Sequence, residues 1–356
     1  MSTPTTTHLA RINAADTREA VTRFLRNFLA EKRREALSSR TERLPDVLLE
    51  FLTGGKQIRP VLTVIGWVAA GGTGEREPVI QAAASLEMFH AFALIHDDLM
   101  DNSDLRRGRP TAHRRLAGGE RSPEAERFGA SAALLLGDLA FTWSDEILHR
   151  ADLTPGQFAA VFPIIDEMRN EVMLGQYLDL RDTGKLSDDV DTALTVNRYK
   201  TAKYTVERPL HLGAVLAGAD AETLAACTAY AIPLGDAFQL RDDLLGVYGD
   251  VDRTGKSTLD DLREGKNTAL VALALRAASP RQAARLRRLI GDPGLDEAGA
   301  EQVRDVFADT GARDAVEEMI EARYRQSVKA LEEAPFTAEA IDALQDLARS
   351  ATRRTS

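Results

Sequence analysis

Apolar residues recur three or four positions apart along most of the chain. Val21, Phe24, Leu25, Phe28 and Leu29 make one stripe, and Val161, Ile164, Ile165, Met168 and Val172 make another. This is the i, i+3, i+4, i+7 spacing of amphipathic helices. No run of alternating β-branched residues flanked by hairpin turns interrupts it, so no sheet is expected. Gly and Pro gather at Gly71–Gly74, Gly118–Pro123, Thr154–Gly156 and Asp292–Gly294, which reads as loops between helices. Residues 1–10 are Thr-rich and read as a disordered tail. There is no repeat of solenoid period and no long linker. The pattern predicts that residues 11–356 form one all-α domain, a bundle of roughly a dozen helices, some buried on most sides.

Composition narrows the function. The chain has 356 residues and a formal net charge of −10, which argues against a general nucleic-acid binder, since that needs a basic footprint. Its one cysteine, Cys227, rules out an intrachain disulfide and points to a reducing, cytoplasmic compartment. The apolar stretch around Ser131–Leu136 falls far short of the ~20 residues of a membrane span. The opening MSTPTTTHLA lacks the apolar core of a signal peptide.

The candidate chemistry lies in the acidic positions. An apolar helix starting near Pro78 runs into Leu94-Ile95-His96-Asp97-Asp98-Leu99-Met100-Asp101. Asp97 and Asp101 are four apart and share a helix face, where they repel each other. A hard divalent cation such as Mg²⁺ accounts for them, because it takes oxygen ligands and commonly sits between carboxylates and phosphates. One such motif can arise by chance on a solvated helix end. A second apolar run, from Leu224, leads to Phe238-Gln239-Leu240-Arg241-Asp242-Asp243. Two helices ending in paired aspartates and facing each other across a bundle would cage Mg²⁺ and a diphosphate.

Such an anion also needs cations. Gly54-Gly55-Lys56-Gln57-Ile58-Arg59-Pro60 reads as a glycine turn opening a helix, with Lys56 and Arg59 on one face; Arg106-Arg107 follows the first aspartates, and Lys200-Thr201 lies further on. Thr254-Gly255-Lys256-Ser257 looks like the end of a nucleotide-binding loop, but Gly249 is one residue too early and no strand precedes it, which excludes that reading.

Taken together, GGKQIRP, LIHDDLMDNSDLRRGRPTAH, GQYLDL, YKTAKYTVERPL, FQLRDD and TGKSTLDDLREGKNT resemble the trans-isoprenyl diphosphate synthases, the polyprenyl synthetase family. They stand in family order over about residues 40–270. The resemblance implies an all-α fold around a deep central cavity, usually a homodimer, that condenses isopentenyl diphosphate with an allylic diphosphate. It implies Asp97, Asp98, Asp101 and Asp242 as Mg²⁺ ligands, with Asp243 and Asp261 in support. Arg106, Lys200 and Lys256 would hold the allylic diphosphate, and Lys56, Arg59, His90 and Arg107 isopentenyl diphosphate. Gln176 and Asp179 would back the metal ligands, while Thr201 and Gln239 would face the developing cation.

The chain departs from the family pattern at Gly246, where many members carry a third aspartate, and at Gln57, often Arg. Product length is read from Phe92 and Ala93, which lie just before Asp97. Phe92 is five residues away, about 7.5 Å along a helix. One ring beside one small residue matches the pattern of geranylgeranyl synthases, with farnesyl and farnesylgeranyl products as alternatives. A class I terpene cyclase would not need the second basic set, and a non-catalytic partner subunit would have lost first-motif aspartates.

Overall fold

The computed structural model describes residues 12–249 and 258–353. The N-terminal tail and Lys256 lie outside the described residues. The protein is all-α. Helix α1 (Ala14–Arg34) is capped by the Asn13 side chain and buries Val21, Leu25, Phe28 and Leu29, as their spacing predicts. There follow α2 (Arg43–Leu52), α3 (Ile58–Ala69) and α4 (Glu77–Met100), then α5 (Ala112–Leu116), α6 (Pro123–Arg150) and α7 (Pro155–Asp182). Thr154 caps α7 by a reciprocal capping box with Gln157. Gly156 therefore sits inside the helix rather than in the predicted loop, because Thr154-Pro155 is a helix start.

Helix α4 is the axis of the N-terminal half, packing along α6 and against α3 and α1. It has no polar face, and burial accounts for that: Ala82, Ala83, Ala84, Leu86, Met88, Phe89 and Ile95 are all closed to solvent. By length and composition α4 is apolar enough to cross a membrane, a feature the sequence reading missed. However, 67% of its apolar window is buried inside the protein, as for a helix hydrophobic all round in a large core.

Helices α8 (Val190–Asn197) and α9 (Arg208–Leu216) are joined without a break by a π-helical segment, Arg198–Glu207. Wide turns of this kind are rare and cluster at functional sites. Here the segment carries Lys200, Thr201, Tyr204 and Thr205. It is wedged between α7 and α10 (Ala221–Tyr248). A Cβ on Gly175 would lie 2.6 Å from the Lys200 amide nitrogen, and one on Gly235 would lie 2.4 Å from Cα of Ala202. Only glycine permits such close approach. The aspartates of α10 do not end that helix as predicted: it runs on past Asp243 to Tyr248. Shorter helices follow, and Ala312–Ala330 packs back along α10.

One small hairpin interrupts the helices, contrary to expectation. Leu105-Arg106 pairs with Arg109-Pro110, and Arg107 and Gly108 between them both have positive φ, 53° and 71°. Two such residues suit the right-handed twist of a two-residue turn. For arginine the conformation costs energy, so the residue is held there by what surrounds it.

Candidate active site

The hairpin folds Arg106 back onto the end of α4. Its Nε donates to Asp98 Oδ1 at 2.8 Å, and its Nη2 lies 3.3 Å from Asp97 Oδ2. Asp98 is fully buried. From the other side Gln176 Nε2 donates to Asp97 Oδ1 at 3.0 Å, and Lys200 Nζ reaches the same oxygen at 3.4 Å. Asp179 Oδ2 accepts from Lys200 at 2.6 Å. Three elements, the hairpin, α7 and the π-helical segment, thus converge on one carboxylate of α4. Burial alone would raise the Asp97 pKa, but the charges of Lys200, Arg106 and Lys266 outweigh it and hold the carboxyl below its ordinary value. Asp101, at the C-cap of α4, is in the opposite condition. Burial, then repulsion from Asp97, pushes it up to about 6.

Where the π-helical segment meets α10, Thr201 Oγ1 donates to Gln239 Oε1 at 2.8 Å, and Gln239 Nε2 donates to Asp243 Oδ1 at 2.8 Å. Asn197 Nδ2 completes this chain at 3.4 Å from Asp243 Oδ2. Asp243 is buried, which pushes its carboxyl up to about 7. Asp242, the preceding residue, is half-buried.

Lys266, which the sequence reading missed, stands between the two motifs. Its Nζ lies 2.6 Å from Glu264 Oε2 and 3.3 Å from Asp261 Oδ1. Its charge also acts on Asp97 and Asp101. Gly265, with φ 72°, ends the short helix Asp260–Glu264 and turns the chain back, which brings Lys266 close enough to act on Asp97 and Asp101. A glycine-then-lysine step after acidic residues is the signal that could have found it.

The second basic set gathers on the far side of Arg106. Gly54 and Gly55 have φ of 91° and 86°, and the Arg107 guanidinium lies against this turn, 2.8 Å from where a Gly55 Cβ would be. Lys56 belongs to the turn and not to the helix, which begins at Ile58; the expectation of one shared helix face with Arg59 is corrected. Gln57 has φ 42° and ties the turn to α1 by donating to Thr22 Oγ1 at 3.2 Å. Arg59 is buried. Its Nη2 donates to Thr205 Oγ1 at 2.7 Å, and its guanidinium carbon sits 4.1 Å over the Tyr204 ring. His90, on α4, lies with Nδ1 3.3 Å from the Tyr204 hydroxyl. Burial, then the charges of Arg59, Arg107 and Arg106, holds the His90 pKa well below its ordinary value.

Below Asp97 on α4, Ala93 is one turn down and half-buried. Phe92 turns toward α6, with Phe141 at 5.2 Å and His96 at 4.6 Å, both edge to face, and Phe89 at 5.2 Å. The guanidinium of Arg169, on α7, lies 4.7 Å from the Phe141 ring and is held by Asp145 and Ser144. Phe141 and Arg169 also escaped the sequence reading.

No group of three or more side chains already poised around a metal occurs among the described residues. The donor set is nonetheless carboxylate oxygen, which suits a hard divalent cation that takes its remaining ligands from phosphate and water. Asp101, its pKa raised by burial and then by the neighbouring Asp97 carboxylate, is a residue such a cation would relieve. The Gly246 departure has a structural counterpart: Asp261 places Oδ2 against the α-carbon of Gly246.

Residues 41–308 match the polyprenyl synthetase family. The chain is 33% identical over 285 residues to a geranylfarnesyl diphosphate synthase of Aeropyrum pernix, covering 79% of this chain and 84% of that one. It is 31% identical over 259 residues to a geranylgeranyl diphosphate synthase of Saccharolobus solfataricus, covering 72% and 74%. The crystal structure of a geranylgeranyl pyrophosphate synthase from Corynebacterium glutamicum, complexed with isoprenyl diphosphate and magnesium, is similar with a TM-score of 0.92. That likeness has 37% identity and covers 96% of this chain and 99% of that one.

Proposed function

This chain belongs to the polyprenyl synthetase family and is a trans-prenyltransferase, and on that premise we propose that it makes geranylgeranyl diphosphate by adding isopentenyl diphosphate to allylic diphosphates. The observation that carries the two-substrate reading is the pair of cationic pockets flanking one carboxylate cluster: Arg106 and Lys200 on Asp97, and Arg59 with Arg107 beside His90. A terpene cyclase, which handles one diphosphate, has no use for the second pocket.

The residues take the following parts. Arg106 and Lys200, with Lys256, hold the allylic diphosphate and stabilise the charge that builds as it leaves. Lys266 is placed to do the same. Asp97, Asp98, Asp101 and Asp242 would hold Mg²⁺, with Asp243 and Asp261 behind them; the bound metal supplies Lewis-acid assistance to C–O cleavage. Gln176 and Asp179 keep Asp97 and Lys200 in register. Thr201 and Gln239, already hydrogen-bonded to each other, face the allylic cation. Lys56, Arg59, His90 and Arg107 hold isopentenyl diphosphate so that its double bond meets that cation. The proton lost afterwards passes to the departed diphosphate, since each carboxylate named is assigned to metal or to a cation and the motifs supply no further side-chain base at that position.

Phe92 and Ala93 support a product of intermediate length, with farnesyl and farnesylgeranyl diphosphate the alternatives. Exposed Phe128 and Leu135 on α6 and Leu174 and Tyr177 on α7 support a homodimer. The single buried thiol, Cys227, supports a cytoplasmic enzyme, and residues 11–356 act as one catalytic unit. The deciding experiment incubates the protein with Mg²⁺, isopentenyl diphosphate and each allylic starter in turn. A twenty-carbon main product is expected. No condensation with any starter would overturn the reading.

A further inference from the structure

One segment of chain serves both pockets. The π-helical turn that presents Lys200 and Thr201 to the first also presents Tyr204 and Thr205 to the second. There Thr205 holds Arg59, and Tyr204 touches both Arg59 and His90. The contact with His90 specifies more than position. An imidazole has two nitrogens, and when neutral only one carries a proton; the hydrogen bond made by one nitrogen decides the state of the other.

We propose that Tyr204 sets the tautomer of His90: its hydroxyl donates to Nδ1, leaving the proton on Nε2 as a neutral donor to the diphosphate of isopentenyl diphosphate. The inference rests on the two-substrate reading above and adds a positioning residue to it. Three observations support it.

First, the direction of the hydrogen bond. Nδ1 is the only hydrogen-bond partner of the Tyr204 hydroxyl among the described residues. If the hydroxyl accepted from Nδ1, its own proton would be left without an acceptor. The phenol is also buried, which with the smaller opposing effect of Arg59 leaves its pKa at about 12, so it keeps that proton. Arg59, 4.1 Å over the ring, withdraws electron density and makes the hydroxyl a better donor.

Second, the charge of the imidazole. Arg59 from α3 and Arg106 and Arg107 from the hairpin all act on it, with no carboxylate among the groups that do so. Glu87, one turn away on α4, is itself buried and its pKa is raised, chiefly by burial. Protonating His90 would add a fourth cation to that group. A neutral donor adds a hydrogen bond to the anion without that repulsion.

Third, Nε2 is left for the ligand. His90 is half-buried, and Nε2 has no hydrogen-bond partner among the described residues.

The test uses the full-length enzyme with ¹⁵N-labelled histidine, the His90 signals being assigned by their loss in His90→Gln. At pH 7.5 the wild type should show the Nε2–H tautomer, and Tyr204→Phe, which keeps the ring under Arg59, should show a mixture. Kinetically, Tyr204→Phe should raise KM for isopentenyl diphosphate about 3- to 10-fold, the worth of one hydrogen bond, with kcat nearly unchanged. In a His90→Gln background, where an amide donates with no tautomer to fix, Tyr204→Phe should have little effect on that KM. An imidazolium or an Nδ1–H tautomer in the wild type would overturn the proposal, and so would an equal KM penalty in both backgrounds. Failure of the wild type to use isopentenyl diphosphate at all is a separate outcome, which would overturn the functional reading itself.

Discussion

Asp261 stands where a side chain at position 246 would begin: a Cβ on Gly246 would lie 2.0 Å from Asp261 Oδ2. The glycine is therefore more than a missing aspartate. It makes room for a carboxylate from another segment, which also pairs with Lys266 at 3.3 Å. Restoring the family residue should harm this enzyme. Gly246→Asp should cost about 1–3 kcal/mol of stability through overpacking and lower the apparent affinity for Mg²⁺. Asp261→Gly in the same chain should recover part of both losses. Thermal melts and Mg²⁺ titrations of the single and double variants check this. A Gly246→Asp enzyme as stable and active as the wild type would show that Asp261 moves aside freely.

Metal dependence should be absolute. Asp97 is held by Gln176, Lys200 and Arg106, so Asp97→Ala removes a proposed metal ligand and takes from two half-buried cations the carboxylate they share. Asp97→Ala or Asp242→Ala should lower kcat by about three orders of magnitude, the scale seen when charge stabilisation of a leaving group is lost. Circular dichroism would show whether the fold persists. Full turnover in EDTA would refute the metal assignment.

The sequence made some of this site legible and hid the rest for physical reasons. Asp97 and Asp101 could be paired because helical periodicity is local, and the Arg59 position followed from the glycine turn before it. What lay out of reach depends on contacts between distant elements. Lys266 reaches the first aspartates only because the chain reverses at Gly265. Tyr204 meets Arg59 only because α3 lies against the π-helical segment. The π turn itself has no signature in apolar spacing. Helix ends were misread where a cap or a continuation overrode composition, at Thr154 and beyond Asp243.

The raised carboxyls give a pH signature in the metal-free protein. Asp101 sits at about 6 and Asp243 at about 7, against ordinary values of 3.8. Between the ordinary and the raised value the folded state binds more protons than the unfolded one. Stability contributed by these groups therefore falls as pH rises from about 4 to about 7. Asp243→Asn removes one of the two. In EDTA, the Tm of Asp243→Asn relative to wild type should climb between pH 5 and pH 8. A constant difference across that range would refute the assignment of the buried carboxyl.

The two basic pockets should separate in kinetics. Arg59→Ala and Lys56→Ala should raise KM for isopentenyl diphosphate by about 10- to 100-fold, the worth of hydrogen bonds to a charged group. Lys200→Ala should leave that constant almost unchanged and lower kcat with the allylic substrate. Steady-state kinetics with each substrate varied at saturating levels of the other decides the matter. Weakened allylic binding alone in Lys56→Ala would mean that the two pockets were assigned the wrong way round.

Product length puts the pocket floor to the test. Ala93 lies one turn below Asp97 on the same face of α4, and Phe92 lies beside it, wedged among Phe141, Phe89 and His96. Under the proposed function, a chain growing from the aspartates would pass Ala93 and meet the Phe92 ring about 7.5 Å down the helix axis. Phe92→Ala should open that floor and give products beyond twenty carbons. Ala93→Phe should raise the floor and shift the product to fifteen. The Phe92 ring packs against Phe141, which Arg169 braces from α7 at 4.7 Å, so its loss should cost about 3 kcal/mol. Melting curves come before product analysis for that reason. Neither variant replaces a proposed metal or diphosphate residue, and both should keep the wild-type Mg²⁺ requirement. If a folded Phe92→Ala enzyme still stops at twenty carbons, another residue sets the floor; Phe141, packed edge to face on Phe92 at 5.2 Å, is the first to try, and Phe141→Ala should then release the longer products.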